Sequence, residues 1–201
     1  MRDLRTKFDG YKPYINGSSQ MKRASVLVPI VEKSGEEYIL FEVRSKNLKH
    51  QPNEISFPGG KIEADEQPID AVLRETYEEL GTNQSNIELV SELDLIITPF
   101  NYIVHPFLGY IHEDIDLSMS NDEVDHCFLV PLKYLLQNPP HEFINTLEVN
   151  PDKDIPSNYL PCDDYKFLGG KSTVLFYQYD GYVIWGMTAK ILQNFLNVLS
   201  E

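Results

Sequence analysis

The sequence has few of the features that mark secreted proteins, membrane-spanning proteins or proteins with cysteine-ligated structural metal sites. Its 201 residues include only two cysteines, Cys127 and Cys162, which lack the spacing of metal ligands or of a disulfide framework. We expect Cys127, within the segment CFLV, to be a small buried hydrophobe. No stretch reaches the ~18 apolar residues of a membrane helix, and the first residues do not resemble a signal peptide. These absences predict a cytoplasmic protein.

Basic residues are also scarce. The chain has 17 Lys and Arg against 31 Asp and Glu, which gives a net charge of −14. This charge argues against nucleic acids and anionic membranes as partners. It would also repel a polyanionic substrate unless a bound divalent cation reversed the sign of the local field. The composition, 42% hydrophobic and 24% charged, is typical of a globular protein, and we predict a single domain over residues 1–201.

The most informative segment extends from Gly60 to Thr82, in which Glu66, Glu75, Glu78 and Glu79 lie on or beside a stretch with helical periodicity. Glu75 precedes Glu78 by three residues and Glu79 by four, so all three share one helix face. Like charges in this arrangement destabilise a helix by roughly 0.2–0.5 kcal/mol per pair. Mg²⁺ is held by carboxylate oxygens and completes its shell with substrate phosphates. The spacing therefore predicts a metal site that handles phosphate, and a solvated acidic helix face is the alternative.

This segment resembles the Nudix box, in which Gly, five residues, Glu and seven residues precede Arg-Glu-U-x-Glu-Glu-x-Gly-U. The fixed positions are all present, as Gly60, Glu66, Arg74, Glu75, Glu78, Glu79 and Gly81. The chain departs from the pattern at two U positions, usually bulky aliphatics, which are Thr76 and Thr82. The resemblance implies an α/β fold, the Nudix-type α/β/α sandwich with a mixed sheet between helices. It also implies a pyrophosphohydrolase that acts on acid anhydrides in phosphorus-containing compounds.

The segment before the box resembles the coenzyme A pyrophosphatase branch of this family. That branch has Arg-Ser, a second Arg four residues after the Ser, then Gly, three residues and Phe-Pro-Gly-Gly. Arg44-Ser45 and FPGG match, while Lys49 replaces the second Arg and Asn53 replaces the Gly. Lys keeps the charge but loses the two-pronged geometry of a guanidinium. Asn tolerates a left-handed backbone better than most residues, so we expect the turn to survive.

Two later segments resemble the same branch. Glu123–Asp125, followed by FLVPL, is similar to its Glu-Val motif, and Tyr182–Ala189 is similar to its Gly-x-x-Ile-Trp-Gly-Leu-Thr-Ala motif. The resemblance implies cleavage of coenzyme A or its derivatives to 3′,5′-ADP and 4′-phosphopantetheine. The alternatives are another nucleoside diphosphate derivative, such as ADP-ribose, a dinucleotide or a diadenosine polyphosphate, and a non-catalytic nucleotide-binding sensor. A homodimer is expected by analogy alone.

The resemblance also implies roles for individual residues. The implied ligands of Mg²⁺ or Mn²⁺ are Glu75, Glu78, Glu79, Gly60 through its carbonyl, and Glu66. The implied catalytic residues are Glu75, Arg74 and Glu123. Arg74 would orient Glu75, and Glu123 is the candidate general base, with Glu75 as the alternative. The implied substrate-binding residues are Arg44, Lys49 and Phe57. Arg44 and Lys49 belong to a basic patch, for which an ordinary solvated loop is the alternative interpretation.

Local patterns predict the elements that carry these residues. The predicted strands are 24–31, 38–43, 88–91, 94–98, 103–111, 127–130, 173–179 and 182–185. The predicted helices are the box helix from Pro68 to a stop at Gly81, a short helix at 131–136 and a last helix from Thr188. Their predicted buried faces are Ile69, Val72, Leu73, Thr76 and Leu80, and Ile191, Leu192, Phe195, Leu196 and Leu199. We expect residues 1–22 to form an N-terminal arm and residues 139–163 an irregular insertion.

Overall fold

The computed structural model describes residues 3–112, 116–117, 121–162 and 165–201. The chain forms two compact units. The first comprises Met1–Val28 and Pro58–Glu113, and the second comprises Pro29–Phe57 and Asp114–Glu201. Among the described residues, no helix has the length and apolar character needed to cross a membrane. The predicted α/β class with a mixed sheet is confirmed, and the single-domain organisation stays a prediction.

The elements follow the predicted order closely. The α-helices within the described ranges are α1 (Leu4–Phe8), α2 (Pro68–Leu80), α3 (Leu132–Gln137) and α4 (Gly186–Ser200). The first six strands are β1 (Lys22–Lys33), β2 (Glu36–Arg44), β3 (Ile55–Ser56), β4 (Gly59–Lys61), β5 (Ile87–Glu92) and β6 (Ile96–Ile97). The other strands are β7 (Tyr102–Ile111), β8 (Val124–Pro131), β9 (His141–Leu147), β10 (Gly170–Tyr179) and β11 (Tyr182–Trp185).

In the first unit, the beginning of β1 pairs with the short strand β4, which leads towards the box helix. Ser25 lies opposite Gly60 in this antiparallel ladder, and Val26 lies opposite Gly59. The buried Ser25 hydroxyl donates a hydrogen bond to the carbonyl of Pro68 at 2.8 Å. This bond ties β1 to the first turn of α2. Strand β1 therefore contacts both Gly60 and the first residue of the box helix.

Gly59 in β4 occupies a position that only glycine can fill. Its φ is +146°, which L-residues rarely adopt, and a methyl group there would overlap the Ser25 carbonyl oxygen and lie 2.6 Å from Val26 Cα. Close approach of two backbones is a common reason for glycine within a strand. The first glycine of the GG pair therefore brings β4 against β1.

In the second unit, β2 is the central strand. It pairs with β8 over the whole length from Tyr38 to Arg44, and its end pairs with β3. Phe41 is fully buried, and its ring lies 4.9 Å from that of Phe57 and 5.5 Å from that of Phe128. The predicted hairpin of β1 and β2 is confirmed by the pairs from Ile30–Ile39 to Lys33–Glu36.

The box helix begins at Pro68 and ends at Gly81 as predicted, with Gly81 at φ 69°. Burial of Val72, Thr76 and Leu80 is confirmed, but the predicted burial of Ile69 is wrong, since 45% of it is exposed. The remaining predicted member of this face, Leu73, is half-buried. The buried face includes Ala71 and Glu79 instead. A polar anchor at Glu79, described below, turns this row of the helix inward.

The prediction of an irregular segment at 139–163 is wrong over β9. His141–Leu147 pairs antiparallel with β10 in seven consecutive positions. The prolines that suggested irregularity flank this strand and do not interrupt it, which is where strands tolerate proline. Residue 163 lies outside the described residues.

Three smaller predictions also need correction. The strand predicted at 94–98 is reduced to Ile96–Ile97. The last helix begins at Gly186, after Trp185 as N-cap, so Thr188 lies in its first turn and not at its cap. The Thr188 hydroxyl donates instead to the Ile55 carbonyl at 3.0 Å. Leu199 is 51% exposed, although the other four predicted positions of that face are buried.

Candidate functional site

The box residues come together in the first unit at the junction of β4 and α2. Gly60 lies in β4, directly against the Glu75 side chain of α2. A Cβ atom at Gly60 would lie 2.6 Å from the Glu75 carboxylate carbon and 2.6 Å from one of its oxygens. Glycine is therefore required here because the strand backbone contacts a carboxylate. Gly60 and Glu75, which are fifteen positions apart in the motif, are thus in direct contact.

Arg74 lies at the centre of the acidic residues. Its Nη1 donates to Glu75 Oε1 at 2.7 Å and to Glu78 Oε2 at 3.3 Å. Its Nε and Nη2 contact the two oxygens of Glu66, each at 3.0 Å. The Nη2 atom also donates to the Lys61 carbonyl at 3.1 Å. A planar guanidinium with donors in a fixed fork is suited to this set of acceptors. Arg74 therefore forms hydrogen bonds with three carboxylates and with one carbonyl of β4.

These contacts stabilise the ionised forms of Glu66 and Arg74. Hydrogen bonding to Arg74 lowers the pKa of the Glu66 carboxyl, and the Glu63 backbone N–H, at 2.8 Å, lowers it further. The same contact with Glu66 raises the pKa of Arg74, and Glu75 adds to the effect. Both groups are therefore ionised at neutral pH, and Glu66 lies on Arg74 as a supporting carboxylate.

Glu79 is held differently from the other acids. It is 3% exposed, and its Oε2 accepts the Gly59 backbone N–H at 2.7 Å. A buried carboxylate needs such compensation, because an unpaired buried charge is costly. This bond joins the C-terminal half of α2 to the start of β4 and explains why the Glu79 row faces inward.

The donor set is chemically appropriate for Mg²⁺ or Mn²⁺, since these cations prefer carboxylate and carbonyl oxygens. In the geometry seen here, Arg74 contacts Glu66, Glu75 and Glu78, and the Gly59 N–H donates to Glu79. No group of three or more His, Cys, Asp or Glu side chains within the described ranges is close enough to hold a metal ion. The ligand set of Glu75, Glu78, Glu79, Gly60 and Glu66 stays a prediction.

The two threonines at the box positions that usually carry aliphatics are both buried. The Thr76 hydroxyl donates to the Val72 carbonyl one turn earlier, at 2.7 Å, a common solution for threonine within a helix. The Thr82 hydroxyl is buried without a hydrogen-bond partner in the described part of the chain. The substitutions therefore keep the burial of these positions.

The basic residues implicated in substrate binding lie in the second unit. Arg44 ends β2, and its Nε is buried without a hydrogen-bond partner among the described residues. Asn53 has φ +60°, and its N–H donates to the Arg44 carbonyl at 3.1 Å. The expectation that Asn53 preserves the left-handed turn is confirmed. Lys49 lies on this loop and is exposed.

Glu123 adjoins the Arg44-Ser45 segment through the backbone. The Ser45 N–H donates to the Glu123 carbonyl at 2.8 Å, and Arg44 lies opposite Val124 in the β2–β8 ladder. The side-chain oxygen of Asn121 accepts the N–H groups of Glu123 and Val124 at 2.8 and 2.7 Å, which fixes this turn. The structure thus joins two motifs that are far apart in the sequence.

Phe57 differs from the expectation of a substrate contact. It is 3% exposed and stacks on Phe41. A ring with almost no accessible surface has little to offer a ligand, so Phe57 belongs to the core of the second unit.

Sequence reasoning missed Glu42, a buried carboxyl on β2 that is 1% exposed. Its Oε1 accepts the Ser56 hydroxyl at 2.8 Å, and the two residues lie opposite each other in the β2–β3 ladder. The available signal was a single acid inside the apolar run YILFEV. The backbone partners of the box, the Gly59 N–H and the Lys61 carbonyl, were also missed, because a motif does not show where main-chain groups point.

Comparison with known proteins decides the family, because residues 21–155 match the NUDIX domain. The chain belongs to the Nudix hydrolase family. It is 33% identical over 168 residues to the peroxisomal coenzyme A diphosphatase NUDT7 of Mus musculus, a match that covers 83% of this chain and 66% of that relative. The chain thus spans slightly less than two thirds of the length of the mouse protein.

Two further matches extend over nearly the whole of this chain. An Escherichia coli protein described as the uncharacterized Nudix hydrolase NudL is 31% identical over 194 residues, which is 96% of this chain and 91% of that relative. The crystal structure of a MutT/nudix family protein from Enterococcus faecalis matches with a TM-score of 0.53 and 17% identity, covering 98% of this chain and 69% of that chain. The latter supports the fold alone. Nudix hydrolases are pyrophosphohydrolases of nucleoside diphosphate derivatives and generally use divalent metal ions.

We predict that Arg74→Lys lowers the free energy of unfolding of this Nudix hydrolase by about 1 kcal/mol, a value that allows for partial solvent screening. Lysine keeps the charge but cannot contact both oxygens of Glu66. Urea denaturation measures the change, and Arg23→Lys at an exposed position is the matched control. Equal stability of the two variants would contradict the central role given to the guanidinium.

Proposed function

We propose that this Nudix hydrolase cleaves the pyrophosphate of coenzyme A or its derivatives to 3′,5′-ADP and 4′-phosphopantetheine, with Mg²⁺ or Mn²⁺. The observation that carries the proposal is the Ser45–Glu123 hydrogen bond. It joins the Arg-Ser motif to the Glu-Val motif, and both resemble the coenzyme A pyrophosphatase branch. The name of the mouse relative points in the same direction.

The carboxylates of Glu75, Glu78 and Glu79, the Gly60 carbonyl and Glu66 are the groups we propose to hold the cation. When bound, the cation would neutralise charge on the phosphoryl oxygens and favour the hydroxide form of a water. Arg74 keeps Glu75 against Gly60 and compensates the charge of the acidic residues on α2. A bound divalent cation would offset the acidic charge at the site, so the net charge of −14 is compatible with a polyanionic substrate.

The proposed reaction is a substitution at phosphorus by water. The water oxygen forms a bond to one phosphorus of the pyrophosphate, and the bond from that phosphorus to the bridging oxygen breaks. The bridging oxygen leaves with the other phosphate, and a proton of the water passes to a carboxylate. Glu123 is the proposed general base, since it is exposed and the motif that carries it is fixed by Asn121. Glu75 is the alternative base.

Arg44 and Lys49 are the proposed anchors for substrate phosphate. Coenzyme A carries a 3′-phosphate apart from its pyrophosphate, so a positive group outside the metal site is needed. The Arg44 Nε is buried and has no hydrogen-bond partner in the described ranges, and leaving a buried donor unsatisfied is costly. Arg44 as a whole is half-buried and therefore partly accessible.

We predict that coenzyme A has the highest kcat/KM in a panel that also contains dephospho-coenzyme A, ADP-ribose, NADH and diadenosine tetraphosphate, assayed with Mg²⁺ and with Mn²⁺. Product analysis should give 3′,5′-ADP. A higher kcat/KM for ADP-ribose or a dinucleotide would replace the proposed substrate but keep the reaction. Nucleotide binding without turnover in either metal would favour a sensor.

We predict that Glu79→Gln leaves the fold intact and lowers turnover at least a hundredfold, as expected for the loss of a metal-ligating carboxylate. A catalytic metal ion contributes several kcal/mol of transition-state stabilisation, and ~1.4 kcal/mol corresponds to a tenfold change in rate. The amide keeps an oxygen that can accept the Gly59 N–H, so stability should change little. Circular dichroism and thermal unfolding check the fold, and Glu78→Gln provides a comparison within the same set. An unchanged rate at saturating Mg²⁺ would remove Glu79 from the ligand set.

We predict that Lys49→Ala raises KM for coenzyme A more than KM for its 3′-dephospho form, since only the former carries the phosphate that Lys49 is proposed to contact. Steady-state kinetics on both substrates measures the difference, and Lys133→Ala at another exposed lysine is the control. Equal effects on the two substrates would exclude Lys49 as the 3′-phosphate anchor and leave the hydrolase assignment intact.

A further inference from the structure

Strand β9 is an exposed sheet edge with little protection, since Glu142 is its single acidic residue. It pairs with β10 on one side, and no strand within the described ranges pairs with its other side. All seven residues from His141 to Leu147 are exposed, including Phe143 at 59% and Ile144 at 67%. Natural edge strands are usually protected by lysine, proline or a bulge. The sequence HEFINTL contains neither lysine nor proline, and its register with β10 is uninterrupted.

The same three-stranded sheet displays a row of aromatic rings. Phe143 of β9 meets Phe176 of β10 edge-on at 5.5 Å, and Phe176 stacks on Trp185 of β11 at 6.0 Å. Trp185 is 44% exposed. The opposite face, by contrast, contains the buried Leu175, Tyr177 and Ile184. One face of the sheet therefore belongs to the core, and the other presents an apolar row that reaches the open edge.

The charge of this surface differs from that of the chain. The whole chain has a net charge of −14, but β9 contains a single acid, Glu142. Glu142 lies opposite Leu175 in the ladder and thus on the core-facing side. Two copies of a strongly acidic chain repel each other over most of their surface. The aromatic row of Phe143, Phe176 and Trp185 has no charged side chain, and the strand edge has a single acid, so that repulsion is weak there.

We propose that β9 pairs antiparallel with β9 of a second copy of this chain about a two-fold axis. A two-fold interface requires a self-complementary surface. An edge strand meets this requirement because it can pair antiparallel with the same strand of a second copy. With the axis at Ile144, the two Ile144 side chains lie opposite each other, and Glu142 lies opposite Thr146 of the second copy. No like charges then face each other, whereas a register centred on Glu142 would oppose two carboxylates.

This register also joins the two aromatic rows. Phe143 lies opposite Asn145 of the second copy, so the two Phe143 rings are diagonal neighbours, about 7–8 Å apart between Cα atoms and within contact distance of their rings. The rows of Phe143, Phe176 and Trp185 from both copies then continue across one six-stranded sheet. Pairing satisfies the open backbone groups of β9, as in recognition by β-strand addition.

The mass of the full chain in solution tests the proposal. Light scattering after gel filtration should give twice the 23.2 kDa chain mass. Ile144→Lys places two like charges at the axis and should shift the species to the mass of one chain, with kcat unchanged because β9 lies outside the proposed catalytic residues. The matched control is Leu168→Lys, which introduces the same charge at an apolar residue that is 93% exposed.

Disulfide trapping tests the register itself. Residues opposite each other in antiparallel strands have Cα atoms about 4.5–5.5 Å apart, which a disulfide can span. In a Cys162→Ser background, Ile144→Cys should form a chain-to-chain disulfide on mild oxidation, and Leu168→Cys should not. The expected result is a dimer band on a non-reducing gel that disappears when thiol is added. A single-chain mass for the parent protein, a dimer unaffected by Ile144→Lys, or equal cross-linking at both cysteines would overturn the proposal.

Discussion

The ion-pair set around Arg74 is the interaction on which the site depends. Three carboxylates on or near one helix would repel each other, and the guanidinium compensates them from within the same helix. The arrangement works because Gly60 lets the strand backbone approach the Glu75 carboxylate. Replacing either Arg74 or Gly60 would alter the position of the Glu75 carboxylate, so the residues of the motif depend on one another.

The second requirement is the attachment of the helix to its strands. The Glu79 carboxylate accepts a hydrogen bond from the Gly59 N–H, and the Ser25 hydroxyl donates one to the carbonyl of Pro68, the first residue of α2. These two bonds act near opposite ends of the helix. Each uses a buried polar side chain to satisfy a main-chain group, which agrees with the general rule that buried polar atoms are paired. Burial of Glu79 is thus a structural as well as a chemical property.

Much of this arrangement could be predicted because it depends on local sequence. The limits of α2 follow from Pro68 and Gly81, and the β10–β11 hairpin follows from its Asp180-Gly181 turn, since each signal acts within a few residues. The errors arose where tertiary contacts decide. Ile69 has the spacing of a buried residue but faces outward, because the Glu79–Gly59 bond fixes the rotation of the helix. The strand character of β9 was concealed by flanking prolines. Thr188 had the side chain of a helix cap, but its partner, the Ile55 carbonyl, is 133 residues away in the sequence.

The buried pair of Glu42 and Ser56 has an evolutionary consequence. A carboxyl group in the interior of a sheet is tolerated when a neighbouring hydroxyl donates to it, so the identity of one position limits the choices at the other. A lineage that loses the serine first would inherit an acid with one donor fewer, and a lineage that loses the acid first would inherit a hydroxyl without its acceptor. The two positions should therefore change together among related chains, although thirteen residues and a loop separate them.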